Sequence, residues 1–287
     1  MEPIIAGMVL FSALLHPLWN ALIKRQDRQD GAFVGLVAMI LMLSFFHSMI
    51  QGYDLLSASK VWPLIAISVV GQLLYGSSLI FTLRHGDLST YYPIVRSSPL
   101  FIVAVGVLVL GEIYSWTLLA GIACVLVGAF VLQYRRGSHL LENPKTLMFA
   151  VLAMVGTGIY SIVDSRAVQT IEPPVLFFWV ELFNLPGYLI LFRFFGQSQT
   201  RYTDLFQWVK KPALFVTIGC ICYLSYFLIL KAYAMGGDVA AVTSVRQASI
   251  PISVILGGLM FREGSMVRRF AASVVLAFGI VVIAIMG

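Results

Sequence analysis

Arg96 and Arg246 stand deep inside long apolar stretches, 150 residues apart, and each is followed by small hydrogen-bonding side chains. Ser97-Ser98 follow the first, and Gln247-Ala248-Ser249 follow the second. A guanidinium offers a planar fork of donors that matches carboxylate, phosphate or phosphonate oxygens two at a time. The chemistry implied is anion capture. The competing reading is structural: each arginine pairs with a buried acid, or caps a carbonyl freed by Pro93, Pro99 or Pro251. An ionisable group at membrane depth costs roughly 2.5–3.5 kcal/mol on insertion scales, so each needs a reason. Glu181 is the one clear counter-charge at comparable depth, so the protein itself does not neutralise both arginines.

Glu181 has three readings: a static arginine partner, a proton carrier, or a contact for a substrate amine. Asp164 falls at the end of an apolar run and reads as interfacial. Tyr75 and Tyr226 lie in the middle of such runs, where they line a cavity or pack between helices. His16, Trp19 and Asn20 cluster around Pro17; His16 either bonds the carbonyl that Pro17 frees or titrates in a pathway. His47 reads as a packing or interfacial histidine, and Trp62, Trp116, Trp179 and Trp208 as a belt at the membrane surface. Cys124, Cys220 and Cys222 read as buried free thiols, because a metal site needs more ligands than two cysteines one residue apart. No HExxH motif, nucleophile–base pair or glycine-rich phosphate loop is present, so neither a catalytic residue, a metal nor a cofactor is assigned.

The elements that must hold these groups follow from composition. Of 287 residues, 60% are hydrophobic and 11% charged, against about 25% charged in soluble domains. The surroundings of most of this chain are therefore lipid. The net charge of +6 is spread as short clusters between apolar runs, a topology and lipid-headgroup signal with no nucleic-acid partner implied. Met1-Glu2-Pro3 lacks a basic leader region, so the first apolar run is expected to remain as a helix. At about 20 residues per crossing, ten spans are expected. They fall near 3–23, 32–50, 61–83, 89–110, 115–133, 146–165, 174–194, 212–232, 239–261 and 267–286.

The chain also repeats. A shift of 151 residues carries Tyr75 onto Tyr226, Gly86-Asp87 onto Gly237-Asp238, Gly106 onto Gly257, Glu112 onto Glu263 and Gly128 onto Gly279. The expected fold is an all-α membrane protein whose ten transmembrane helices form two inverted five-helix repeats, residues 1–136 and 137–287. Five helices per half force the second half to enter upside down. The glycines, including Gly121 and Gly257-Gly258, suit close helix approach. Loops 1–2, 3–4, 5–6, 7–8 and 9–10 carry fourteen of the nineteen Lys and Arg residues, which puts both termini outside.

Two further features carry a family resemblance. The fourth and ninth spans close on Pro99…Gly111-Glu112 and Pro251…Arg262-Glu263, and the first ends in His16-Pro17-Leu18-Trp19-Asn20-Ala21-Leu22-Ile23-Lys24. Over its whole length the chain resembles ten-helix EamA-type members of the drug/metabolite transporter superfamily. That resemblance implies a multi-pass transporter, with relatives handling amino acids, amines, drugs, metabolites, sugar phosphates or nucleotide sugars; many relatives are placed with both termini in the cytoplasm, against the charge pattern here. The expectation is a secondary transporter in the cell inner membrane for a small organic anion or zwitterion. Its substrate site would comprise Arg96, Arg246, Gln247, Tyr75, Tyr226, Trp19 and Asn20, with Glu181 and His16 for coupling or counter-charge. Its partners would be the substrate, the bilayer, and protons or a counter-substrate, in a monomer or homodimer. The alternative is an exporter of amino acids, amines or cationic drugs, with Glu181 and the tyrosines as contacts.

Overall fold

The computed structural model describes residues 1–85, 91, 94–133, 143–195, 205–251 and 266–286, and among them the backbone is helical with no strand. The helices are α1 (Pro3–Lys24), α2 (Gln29–Gln51), α3 (Trp62–His85), α4 (Ser98–Val105) and α5 (Trp116–Gln133). They continue as α6 (Pro144–Ala167), α7 (Pro173–Phe195), α8 (Pro212–Ala234), α9 (Val239–Val245) and α10 (Met266–Met286). Their starts follow local chemistry. Proline occupies the first turn of α1, α4, α6 and α8, where a missing N–H costs nothing. Asn143 caps α6 by accepting from the Thr146 amide at 3.1 Å, and Asp238 caps α9 by accepting from Ala241 at 2.7 Å. Gly52, at φ 68°, ends α2 in the left-handed conformation that glycine adopts without strain.

Among the described residues, six helical segments are long and apolar enough to cross a bilayer: 3–23, 29–51, 55–82, 144–167, 173–194 and 212–234. Shorter apolar helices cover 98–110, 116–131 and 271–285. Outward-facing side chains are apolar too. On α1, Ile4, Phe11 and Leu18 recur every seven residues on the open face, while Ile5, Val9 and Ala13 face inward. An exposed stripe of this kind has hydrocarbon as its natural neighbour, and the chain is an all-α, multi-pass membrane protein. The ninth expected span is described only as far as Pro251, and Pro93, Gly86-Asp87, Gly257-Gly258 and Arg262-Glu263 lie outside the described residues.

The helix contacts come in pairs. α1 packs on α8 as α6 packs on α3, and α2 touches α8 as α7 touches α3. α2 packs on α7 and α5 on α10. The 3₁₀ turn Leu55–Val61 lies on α7, and the turn Gln207–Lys210 lies on α2. Exchanging α1–α5 with α6–α10 maps each of these contacts onto another in the set.

The crossings differ in chemistry. Where α6 meets α3, a Cβ on Gly156 would stand 2.6 Å from the Tyr75 nitrogen, so glycine lets the backbones touch. At the α5–α10 crossing, a Cβ on Gly128 would stand 2.7 Å from the Leu276 nitrogen, and one on Gly279 2.7 Å from the Gly121 oxygen. Where α1 meets α8 the contact is polar instead. Ser12 Oγ donates to the Ser225 carbonyl at 2.6 Å, and Ser225 Oγ donates to the Ser12 carbonyl at 3.0 Å. Gly106 departs from the expected role: its bare face accommodates the Tyr114 and Glu112 side chains, not a neighbouring helix. Tyr114 Oη donates to Glu112 Oε2 there, tying down the turn after α4.

Candidate functional site

Both arginines sit where a helix breaks. Residues 94–95 are helical, the chain turns at Arg96-Ser97, and α4 begins at Ser98-Pro99. Proline at that start supplies no N–H to the preceding turn and disfavours helical geometry before it. α4 then widens into a π-turn over Gly106–Leu110, closed by Gly111 at φ 70°. In the other half α9 stops at Val245, and a 3₁₀ turn runs through Arg246–Ala248 before Pro251. A break frees backbone carbonyls, and here the two breaks serve each other. Gln247 Nε2 donates to the Arg96 carbonyl at 3.0 Å, and an Arg96 terminal nitrogen donates to Ser249 Oγ at 2.6 Å. The shift of 151 residues carries Arg96 onto Gln247, so the bonded pair consists of counterparts.

Arg246 is held differently. Its guanidinium carbon stands 5.4 Å from the centre of the Tyr226 ring, and its Nε is buried without a hydrogen-bonding partner. It faces a cavity of about 280 Å³, near the lower end of the roughly 300–1,000 Å³ usual for small-molecule pockets. His16, Trp19, Asn20, Tyr75, Arg96, Glu181, Tyr226, Arg246 and Gln247 all line that cavity. Residues from α1, α3, α7 and α8 and from both helix breaks are thereby brought to one space.

The α1 wall is set by Pro17, which sits inside the helix without an N–H to give. Asn20 Nδ2 donates to the His16 carbonyl at 3.1 Å, and the His16 and Trp19 rings meet edge to face at 5.1 Å. His16 is 7% exposed with Nδ1 unpartnered, so that nitrogen does not bond the freed carbonyl. Both arginines lie within electrostatic range of it. An aromatic row crosses the cavity: Tyr75 lies 6.0 Å from Tyr160, Tyr160 lies 6.1 Å from Tyr226, and Tyr226 lies 5.3 Å from Phe177. Tyr160 joins the two repeat-related tyrosines, and the sequence reading missed it.

Glu181, 6% exposed on α7, receives a hydrogen bond from Asn184 Nδ2 at 3.3 Å, and among the described residues no arginine is bonded to it. Asn184 Nδ2 also donates to Gln72 Oε1 at 2.8 Å, and Tyr188 Oη donates to the Gln72 carbonyl at 2.6 Å. Gln72, Asn184 and Tyr188 carried no sequence signal, being neutral groups without repeat counterparts. Asp164 lies near the end of α6, as expected, but it is 1% exposed, and Tyr226 Oη donates to its Oδ2 at 2.8 Å. His47 does pack, with Nδ1 2.8 Å from Tyr223 Oη. Trp116 is 87% exposed as a belt residue would be, whereas Trp179 donates to the Leu55 carbonyl at 2.8 Å. The three cysteines are free; Cys222 is buried and faces the cavity, but Cys220 is exposed, contrary to expectation. Among the described residues no three His, Cys, Asp or Glu side chains gather as a metal site.

The cavity is lopsided along the bundle. Its lining runs through Ile23, Gln29 and Asp30 at the α1–α2 turn. Towards the opposite end, the Ser12–Ser225 exchange, the Tyr226–Asp164 bond and a 2.7 Å bond from Gln169 Nε2 to the Tyr233 carbonyl draw the helices together.

Residues 3–134 match the EamA-like transporter family. That match covers the first of the two expected halves, and it is this part of the chain that is similar to the family. One solved crystal structure superposes on 98% of this chain and 96% of its own length, with a TM-score of 0.74 at 16% identity; it shows the fold alone. No curated protein matches the sequence.

Proposed function

We propose that this chain is a secondary transporter of a small organic anion or zwitterion bearing a carboxylate, phosphate or phosphonate. The observation that carries the reading is Arg246: a guanidinium facing a cavity, over the Tyr226 ring, whose buried Nε has no hydrogen-bonding partner among the described residues. In a low-dielectric site such a fork gains most from a ligand that brings its own oxygens. Arg96, Gln247, Trp19, Asn20 and Tyr75 complete the shell, and Glu181 and His16 supply counter-charge or coupling.

Transport proceeds by alternating access between two inverted halves, residues 1–136 and 137–287, as the paired helix contacts suggest. By the distribution of Lys and Arg, both termini face outside the inner membrane and the cavity opens to the cytoplasm. Energy comes from protons or a counter-substrate, and the working unit is a monomer or homodimer. Glu181, bonded to no arginine among the described residues and beside an aromatic row, supports the second reading, an exporter of amino acids, amines or cationic drugs.

The test is uptake into proteoliposomes across a panel of anions, zwitterions and cations, with wild type and Arg246→Ala. The anion reading expects Arg246→Ala to cut uptake of the carried anion about 10–100-fold, the worth of one charge-assisted bidentate contact. Normal transport of cations, unaffected by the substitution, rejects it.

A further inference from the structure

Asp164 is the acid that the proposed site does not use. It belongs to α6, one turn beyond the lining residues Tyr160 and Ser161 on the same helix face, and it is sealed from the surroundings. Its neighbours are Ser68 from α3, Tyr226 and Tyr233 from α8, and Tyr160 on its own helix. Glu181 on α7 lies within electrostatic range, and Arg246 stands over the ring of Tyr226. Among the described residues, no cation is bonded to Asp164. Tyr226 donates to Oδ2, and the Ser68 hydroxyl stands beside the same carboxyl; Asp164 Oδ1 and Ser68 Oγ are both fully buried.

Two neutral hydroxyls do not compensate a carboxylate shut away from water in a membrane. One proton changes the balance. Placed on Oδ1, it removes the buried charge and donates to Ser68 Oγ, with Tyr226 still donating to Oδ2. A metal cation is a poor rival, since oxygen-ligated cations want about six ligands and only four side-chain oxygens, the Asp164 pair, Ser68 Oγ and Tyr226 Oη, are named at this point. Position adds the second half of the argument. The Tyr226–Asp164 bond ties α8 to α6 at the packed end of the bundle, alongside the Gln169–Tyr233 bond between the same helices. Opening that end must part this contact and admit water to it.

We propose that Asp164 is a proton-carrying site of the transport cycle, protonated while the packed end is shut and deprotonated when α6 and α8 separate. The step is a simple transfer: the Oδ1–H bond breaks, the proton passes to water at the opened end, and that water solvates the carboxylate left behind. The inference rests on the alternating-access reading above, and adds to it the group that holds the coupling ion.

Infrared spectroscopy of the full chain in lipid tests the closed state without any substrate. Wild type should show the carbonyl absorption of a buried carboxylic acid, lost in Asp164→Asn, kept in Glu181→Gln and shifted in Ser68→Ala. An Asp164→Asn spectrum with the absorption unchanged, or its loss in Glu181→Gln alone, overturns the proposal. In proteoliposomes with the anion identified by the uptake panel, Asp164→Asn should keep anion exchange but lose pH-gradient-driven accumulation at least tenfold. Accumulation that persists in that variant also overturns it. A panel that finds no carried anion fails the transport reading only, and the infrared result still decides for Asp164.

Discussion

Arg96 and Arg246 look equivalent in the sequence, yet they should fail differently when altered. Arg96 grips Ser249 across the two helix breaks, so Arg96→Ala removes a contact that positions α9 against α4. Loss of thermal stability should accompany its loss of uptake, with unfolding followed in detergent. The buried Nε of Arg246 has no hydrogen-bonding partner among the described residues, so Arg246→Lys should melt like wild type. It should still raise the KM for an anion about tenfold, because an ammonium neither forks nor stacks on Tyr226 as a guanidinium does. Ionisable groups at depth were legible because each stands out against an apolar background that makes it costly. Tyr160, Gln72 and Asn184 were not, since a neutral side chain on a membrane helix signals nothing until its neighbours are known. The burial of Asp164 was hidden for a related reason. Its place near the end of a run suggested the interface, but burial there is decided by α3 and α8, which pack over it.

At the scale of elements, boundaries and breaks were readable, because proline and capping residues act locally. The span expected at 212–232 is the helix Pro212–Ala234, and that at 146–165 is Pro144–Ala167. The interruptions at Arg96 and Arg246 follow from nearby prolines and from the same arginines that fill the cavity. The π-turn of α4 was not readable, since it depends on Tyr114 and Glu112 folding back beneath Gly106. The glycine crossings give an element-level prediction. Gly156→Leu forces α6 off the backbone of α3, and Gly128→Leu forces α5 off α10. Each should destabilise the protein by about 1–3 kcal/mol, the usual cost of overpacking, measured by chemical unfolding in mixed micelles. Gly7, with open space around it, should accept alanine with little change.

For the whole molecule, the predictions concern sidedness. In a chain stripped of its three cysteines, Asn20→Cys should react with a membrane-impermeant thiol reagent from the cytoplasmic face only. A carried anion should slow that reaction. A reporter joined to the C-terminus should be active outside and silent in the cytoplasm, by the Lys and Arg distribution; cytoplasmic activity would reverse both assignments together. The sequence speaks to global topology only through charge counting and the 151-residue shift, and the reporter decides the sidedness they imply. The pairing of helix contacts was not legible, because it depends on which faces meet in three dimensions.

The two crossings related by exchange of the halves are not chemical equals: α6 meets α3 through bare glycine, and α1 meets α8 through paired serine hydroxyls. A rocker built from identical halves would dwell equally at either face of the membrane. Serine pairs between membrane helices are worth about 0.6 kcal/mol on average, up to about 1.7, and glycine contacts trade hydrogen bonds for dispersion that vanishes with small separations. The two pivots therefore resist motion by different laws, one breaking at a threshold and one loosening gradually. On the alternating-access reading, an empty carrier of this build should have a preferred resting face, with inward and outward strokes of unequal speed even with no gradient across the membrane.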